Sequence, residues 1–320
     1  MPGKGHSAGN PARHFEKGES FMIQIQQLVK RFGTKAALDG ISLQVETGSV
    51  FGLVGSNGAG KSTLLRTLAG VYRPDGGEIL MDEEAPYENS GLKNRIFFVP
   101  DYPYFLPKAT LQEMAALYRK VFVRWNEERY RTLCSTFGLN AYGRIQNFSK
   151  GMQRQAALIL ALATQPDYLL LDEIFDGLDP VVRQLLKKLL ADEVSQRNMT
   201  VIIASHNLRE LEDVCDHVGF LHRGGVLMEQ ELDDLRLGIH KVQAVFPQKP
   251  EREQFAGLDI VKWEVRGSLV GMVVRGEEED ILRVLESYRP VFCESLPLTL
   301  EEVFISEMEA AGYDIDNILS

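Results

Sequence analysis

A glycine-rich loop carries the strongest chemical signal in the sequence. Residues 55–63 match the pattern GxxxxGK(S/T), and they lie between the apolar run Val50–Val54 and a predicted helix that begins at Lys61. Glycines allow backbone N–H groups to wrap a phosphate, Lys61 can reach the β- and γ-phosphates of a nucleotide, and the Ser62 hydroxyl can ligate Mg²⁺. The predicted nucleotide-binding residues are Gly55, Ser56, Asn57, Gly58, Ala59, Gly60, Lys61, Ser62 and Thr63. The alternative is an ordinary glycine-rich turn, which the preceding apolar strand disfavours.

Two neighbouring carboxylates follow a second apolar run. Asp172 and Glu173 come directly after residues 168–171, at the carboxyl end of a predicted buried strand, where α/β sheets bind ligands. Beside a phosphate-binding loop, Asp172 is predicted to hold Mg²⁺ through water, and Glu173 to orient or deprotonate an attacking water. The pair therefore predicts hydrolysis of the nucleotide. Without the loop, a solvated strand end would explain both residues about equally well.

Two aromatic side chains are candidates to complete such a site. His206 follows the apolar run 201–205 at the same predicted sheet edge, where its imidazole could contact a γ-phosphate. Phe32 lies upstream of the loop, where its ring could stack on a nucleobase. Spacing alone favours the alternative for Phe32, which is packing in the core.

The elements that must position these residues alternate between short β-rich runs and helices. This order is typical of parallel βαβ units and predicts an α/β fold. The runs 50–54, 168–171 and 201–204 are apolar on both faces, so we expect them at the centre of the sheet, with a helix over Val181–Arg197. Between residues 101 and 165 helical periodicity replaces the strand pattern, which predicts a helical insert.

The last quarter of the chain has a different composition. Residues 239–320 hold 16 acidic and 8 basic side chains, which accounts for −8 of the total net charge of −10. Alternating polarity over 261–266, a hairpin at Gly267–Ser268, and Thr299 with Glu302 at capping-box spacing predict strands followed by a helix. The predicted division is a flexible tail over 1–20, a nucleotide-binding domain over 21–238 with its helical part at about 101–165, and a small α+β accessory domain over 239–320.

Composition excludes several classes of protein. With 44% hydrophobic and 25% charged residues the 320-residue chain is a folded globular protein, and its net charge of −10 argues against a nucleic-acid partner. The longest apolar run, 156–163, is far shorter than the roughly 18 residues that span a bilayer, and the first 20 residues lack the apolar segment of a secretory signal. Cys134, Cys215 and Cys293 form no CxxC pair, so we interpret them as reduced, intracellular packing residues.

Over residues 22–238 the motifs, taken in order, resemble the nucleotide-binding subunit of ATP-binding cassette (ABC) transporters. Residues 148–154, Phe-Ser-Lys-Gly-Met-Gln-Arg, resemble the LSGGQ signature directly before a predicted helix. Gly177-Leu178-Asp179 resembles the D-loop, with Asp179 as its acidic residue. The resemblance makes His206 the switch histidine and Phe32 the adenine-stacking residue. It implies a P-loop NTPase core of ABC ATPase type with a helical insert and a β-rich edge.

The resemblance also implies cofactors and partners. Each ATP, with Mg²⁺, would lie between the phosphate loop of one subunit and the signature of the other in a head-to-tail dimer, of two copies or with a related ATPase subunit. The signature residues that would act in trans are Ser149, Lys150, Gly151 and Met152. Because they precede a helix, their donors and the positive helix end suit a γ-phosphate. The ATPase would lie on the cytoplasmic face of the membrane and power a separately encoded permease. The Lys-Gly-Met variant of its signature resembles subunits whose permeases are often exporters, so the resemblance implies export.

Departures from the family pattern leave alternatives open. Asp101 stands where the family has the Q-loop glutamine, and its carboxylate could approach Mg²⁺. The aromatic cluster at 102–106 would suit docking of a permease helix, or would pack within the helical insert. A soluble ABC ATPase acting on a ribosome, nucleic acid or other soluble partner is the alternative function, and a subunit that binds ATP but hardly hydrolyses it is a third possibility.

Overall fold

The computed structural model describes residues 21–232, 238–248, 250–296 and 298–310, and the predicted tail over 1–20 lies outside them. The first strands of the described residues form an antiparallel sheet with the strand order β2-β1-β4. Its strands are β1 (Phe21–Phe32), β2 (Lys35–Glu46) and β4 (Gly76–Met81). This sheet is the predicted β-rich edge.

A six-stranded sheet with the order β5-β6-β7-β3-β8-β9 lies beside it. Its strands are β3 (Val50–Val54), β5 (Ile96–Val99), β6 (Tyr168–Asp172), β7 (Thr200–Ser205), β8 (His217–His222) and β9 (Gly225–Glu231). All pairs from β5 to β8 are parallel, and β9 runs antiparallel to β8. Strands β6, β7 and β3 are buried along their whole length and lie side by side, so the predicted sheet centre is confirmed.

Helices lie in the connections between these strands. They are α1 (Lys61–Leu68), α2 (Ser90–Lys93), α3 (Leu111–Val121), α4 (Glu127–Thr136), α5 (Lys150–Ala163), α6 (Pro180–Arg197) and α7 (Leu208–Leu211). The apolar run 156–163 lies in α5, where every residue from 154 to 163 is buried, so its hydrophobicity serves the core. None of the helices in the described ranges has both the length and the apolarity needed to cross a membrane.

Two hydrophobic cores are built mainly from residues 21–232, which we call the N-terminal region. One cluster joins α5 and α6 to β6 and β7, with Leu158, Leu171 and Ile203 fully buried. The other joins α1 and the antiparallel sheet to the central sheet, around residues such as Ile25 and Leu64. Because both faces of the central strands are covered, their polar ligand-binding groups are left to the strand ends.

Residues 238–310, which we call the C-terminal region, form a four-stranded antiparallel sheet with the order β11-β12-β10-β13. Its elements are β10 (Ile239–Val245), β11 (Asp259–Arg266), β12 (Leu269–Arg275), α8 (Glu278–Ser287), β13 (Phe292–Leu296) and α9 (Leu300–Ala310). The β11–β12 hairpin pairs Arg266 with Leu269, as the turn at residues 267–268 predicts. A separate core around Phe255, Met272 and Ile281 fills one face of this sheet.

Helix α9 does not join that core. Leu300, Val303 and Phe304 belong to the same buried cluster as α5 and β6, and the Phe304 ring stacks on Phe220 of β8 with 3.9 Å between centroids. The predicted domain division at residue 238 stays a prediction. The structure shows that a helix after the division completes the core before it.

Candidate active site

The phosphate-binding loop connects β3 to α1 and encloses the head of its own lysine. Gly60 has φ of 113°, and a Cβ there would lie 2.7 Å from the Ala37 carbonyl oxygen, so only glycine fits. The Lys61 side chain is 6% exposed, and its Nζ donates a 2.6 Å hydrogen bond to the Gly55 carbonyl oxygen. The loop therefore fixes a buried cation at the amino end of α1, among backbone N–H groups that favour an anion.

Asp172 and Ser62 form a pair of hard oxygen donors at the carboxyl end of β6. The Ser62 hydroxyl donates a 3.0 Å hydrogen bond to Asp172 Oδ1, whereas Asp172 Oδ2 is buried with no hydrogen-bond partner in the described part of the chain. Burial raises the pKa of Asp172, and the carboxylates of Glu173 and Asp101 add to the rise against the opposing bond from Ser62. A buried, unpartnered carboxylate oxygen beside a hydroxyl is a donor set that suits Mg²⁺.

Glu173 lies between Lys61 and His206. Its Oε1 is 3.3 Å from Lys61 Nζ, and its Oε2 is 2.9 Å from His206 Nδ1. The backbone of Glu173 is left-handed, with φ of 50°, and its N–H donates a 2.9 Å bond to the Ala204 carbonyl oxygen of β7. Such a conformation costs on the order of 1 kcal/mol in a non-glycine residue and persists where the surroundings enforce it. The structure thus brings predicted residues from three separate elements around one carboxylate.

Comparisons with known proteins show the family of the chain. The family model described as ABC transporter matches residues 38–176. The ABC transporter ATP-binding protein YtrB of Bacillus subtilis is 30% identical over 289 residues, which span 89% of this chain and 98% of the relative. The chain belongs to the ABC transporter family. It is an ATP-binding subunit, and subunits of this family hydrolyse ATP to power transport.

The ABC subunit is also similar to an export ATP-binding protein and to a subunit of solved structure. The Nod factor export ATP-binding protein I of Burkholderia thailandensis is 29% identical over 293 residues, which span 88% of this chain and 95% of the relative. Among solved structures, cbiO1 from Clostridium perfringens, part of the ABC transporter complex cbiONQ, is 26% identical with a TM-score of 0.59, over 68% of this chain and 91% of that one. The fold class predicted from the sequence is confirmed.

Phe32 of the ABC subunit lies at the surface. Its side chain is 48% exposed, so the alternative of core packing is wrong. The ring meets Tyr72 edge-on with 5.3 Å between centroids, and the Lys30 ammonium lies 5.6 Å from its centre. Stacking of Phe32 on a base stays a prediction, and Tyr72 is a neighbour that sequence spacing did not indicate.

The signature segment begins α5. Ser149 caps the helix by accepting a 3.2 Å bond from the Met152 N–H, while Lys150 is exposed and Met152 is partly buried. A Cβ at Gly151 would lie 2.6 Å from the Gly177 carbonyl oxygen, so glycine is required where the signature meets the D-loop. The predicted action of these residues on a partner's nucleotide stays a prediction.

Asp179 of the D-loop caps α6, because its Oδ1 accepts 3.0 Å bonds from the N–H groups of Val181 and Val182. This capping bond gives Asp179 a structural role that the resemblance alone did not indicate. Its predicted part in the dimer stays a prediction.

Asp101 has a partner that the sequence did not predict. Its carboxylate forms an ion pair with the guanidinium of Arg154, which also donates a bond to the Asp176 carbonyl oxygen. The carboxylate of Asp176 lies with Glu173 and His206 in a group whose candidate ligand atoms are all within 4.8 Å of one another. An arginine inside an otherwise apolar helix face was the available signal for Arg154. Metal binding by Asp101 stays a prediction that competes with this ion pair.

Proposed function

We propose that the chain is a Mg²⁺-dependent ATPase in which Glu173 is the general base. The observation that carries this proposal is the Glu173 carboxylate, placed between Lys61 and His206 and next to Asp172 and Ser62. Asp172 and Ser62 would hold Mg²⁺, which would supply neutralisation of the phosphate charge. The chain's own residues then orient and deprotonate the nucleophile.

In the proposed reaction a water attacks the γ-phosphorus while Glu173 accepts its proton. The bond from the γ-phosphorus to the bridging oxygen breaks, and ADP leaves with that bond's electrons. Lys61 has a flexible stem, so its ammonium can exchange the Gly55 carbonyl for phosphate oxygens. His206 holds Glu173 Oε2, which fixes the direction of the base, and its partly exposed ring remains able to contact the γ-phosphate.

The direct test is Glu173→Gln, which keeps the size of the side chain and removes the base. We expect ATP turnover to fall by about 100-fold or more, within the range assigned to general-base catalysis, while ATP binding is retained. Glu88→Gln is the matched control, since Glu88 also has a left-handed backbone but is exposed at the surface. Phosphate release and nucleotide binding are measured on both. Full turnover in Glu173→Gln would remove Glu173 from the role of base.

We also propose that two such subunits, or one with a related ATPase subunit, close head to tail around two ATP molecules. Ser149 and Gly151 support this, because α5 begins there and offers N–H groups and a positive helix end to an anion. Sedimentation of Glu173→Gln with Mg-ATP should show a dimer that Ser149→Arg abolishes. A monomer at saturating ATP would contradict the sandwich.

We infer further that the subunit powers a separate permease, in the export direction, from the cytoplasmic face of the membrane. Two similar proteins support this: one is named as an export ATP-binding protein, and cbiO1 is part of an ABC transporter complex. Tyr102 and Tyr104 are 77% and 75% exposed beside the site, which suits helix docking. Co-purification of a multi-span protein with the native chain, lost in a Tyr102→Ser, Tyr104→Ser variant whose basal turnover is unchanged, tests the coupling.

A further inference from the structure

The Arg154 guanidinium lies where three functional segments meet. It projects from the first turns of α5, and its side chain is only 10% exposed. One nitrogen, Nη2, contacts both the carboxylate of Asp101 and, at 3.3 Å, the Asp101 carbonyl oxygen after β5. The other, Nη1, donates to the Asp176 carbonyl oxygen in the turn between β6 and α6. One rigid fork therefore joins the signature helix, the Q-loop position and the entrance to the D-loop.

The charges at this junction are arranged as a closed pair. A guanidinium as buried as that of Arg154 is costly without a partner, and Asp101 supplies the opposite charge. The same pairing neutralises a carboxylate that acts electrostatically on Asp172. The Asp101 carboxylate therefore has a partner of opposite charge on α5. Asp172 differs, because its Oδ2 has no hydrogen-bond partner in the described part of the chain.

Backbone contacts make the junction stiff. Gly151, one turn before Arg154, leaves no room for a Cβ against the Gly177 carbonyl oxygen, so α5 lies directly on this turn. The turn that Arg154 holds at Asp176 starts with Glu173 and ends with Asp179. A shift of the turn would move the proposed base and the D-loop together.

We propose that Arg154 is a positioning residue that keeps the Asp101 carboxylate out of metal coordination and fixes the 173–179 turn. The kinetic part of this inference rests on the proposed ATPase mechanism, whereas its structural part does not. Loss of the fork frees the Asp176 carbonyl and the Asp101 carboxylate at the same time. The chemistry of the reaction is left to Glu173 and His206.

The test uses the full chain with Arg154→Gln, Arg154→Lys and the double variant Asp101→Asn, Arg154→Gln. The double variant removes the pair without changing the net charge, so it separates a metal ligand from an ion-pair partner. In the double variant, the affinity for Mn²⁺ in the presence of ADP, measured by electron paramagnetic resonance, should stay within about threefold of the affinity of the native chain. Loss of a true ligand would weaken it by about tenfold or more.

Hydrogen exchange at residues 174–179 is the second readout. We expect exchange there to be faster by about fivefold or more in Arg154→Gln and in the double variant, with β10 and β12 unchanged as internal controls. Arg154→Lys should be intermediate, because an ammonium keeps the charge but lacks the planar fork that bonds to Asp101 and Asp176 together. If Arg154→Gln fails to fold, the double variant and Arg154→Lys still provide both readouts.

Steady-state kinetics should show an effect on kcat and little effect on KM. In Arg154→Gln, kcat should fall by about 10- to 100-fold while the KM for ATP changes little, because the base is misplaced rather than the nucleotide site. Unchanged exchange at 174–179, or a metal affinity of the double variant weakened beyond about threefold, would overturn the proposal. Neither result depends on turnover, so failure of the ATPase mechanism itself would be seen separately in Glu173→Gln.

Discussion

The central sheet of the N-terminal region and the sheet of the C-terminal region use their faces differently. Strands β3, β6 and β7 of the N-terminal region are buried on both faces, and their functional side chains lie at the carboxyl ends. In the C-terminal region, β11 alternates half-buried and exposed residues, and Lys262 and Glu264 form a 3.1 Å ion pair on its exposed face. A parallel sheet covered by helices concentrates chemistry at one edge, whereas the one-faced antiparallel sheet spreads its charges over a surface.

The Ser62–Asp172 bond at the edge of the central sheet and the Lys262–Glu264 ion pair on β11 span different lengths of sequence. Ser62 bonds to Asp172 across 110 residues, because parallel strands bring distant carboxyl ends together. In the C-terminal sheet, Lys262 pairs with a residue two positions away. Helix α9 is the exception, since it follows the C-terminal strands and buries Phe304 against Phe220 of the central sheet.

The largest predicted effect compares two phenylalanines. Phe304→Ala and Phe255→Ala should each lower the free energy of unfolding by about 3–5 kcal/mol, because both rings are buried. The two rings lie in different cores. Trp125 packs in the N-terminal region and Trp263 in the C-terminal one, so each tryptophan reports one region during denaturant unfolding. Phe304→Ala should shift the transition seen by Trp125, and Phe255→Ala the one seen by Trp263.

Single-tryptophan backgrounds, Trp263→Phe and Trp125→Phe, serve as controls for that assignment. If Phe304→Ala leaves the Trp125 transition in place, α9 does not stabilise the N-terminal core, and the comparison between the regions fails.

A smaller effect is expected from two matching helix caps. Thr299 and Glu302 form a capping box at α9, and Thr110 and Glu113 form one at α3. Thr299→Ala and Thr110→Ala should each cost about 1 kcal/mol by loss of the capping bond. Both should shift the Trp125 transition, because both helices pack on the N-terminal core. A Thr299→Ala effect confined to Trp263 would assign α9 to the C-terminal region.

The smallest effect depends on pH. Burial opposes ionisation of Glu302, yet the bonds from Lys241 and from the Thr299 N–H hold its pKa below the usual value of 4.5. A lowered pKa means that the pair stabilises the fold above that value and loses its contribution as the pH falls through the lowered pKa. At neutral pH, Glu302→Gln should cost up to about 1 kcal/mol, since the pair is partly exposed.

Unfolding midpoints of Glu302→Gln and the native chain should therefore converge at acid pH. Glu264→Gln is the matched control, because Lys262 lowers the pKa of Glu264 within the C-terminal sheet alone. A difference that grows as the pH falls would contradict the sign of the predicted linkage.

Much of the central sheet and the phosphate loop could be predicted because their signals are local. A strand that is apolar on both faces, followed by a glycine-rich loop with Lys61, carries its own context, and the same apolar pattern places β3, β6 and β7 at the centre of the sheet. The Arg154–Asp101 pair could not be predicted in this way. Its partners are 53 residues apart, and neither sequence pattern indicates the other.

The packing of α9 could not be predicted from the sequence either. The charge step at residue 239 and the capping box at Thr299 indicate that a different segment begins and that a helix exists. They contain nothing about which core receives Phe304, because one apolar helix face fits any hydrophobic cluster of the right size.

Residue type and spacing were enough to predict the fold class and the phosphate loop, and to select the residues that lie around Glu173, since they specify backbone conformation and charge at short range. The tertiary structure alone decided that Phe32 is exposed, that Asp101 is paired with Arg154, and that α9 completes the N-terminal core. These are contacts between distant segments, and packing of the whole chain selects them from many partners of equal local merit.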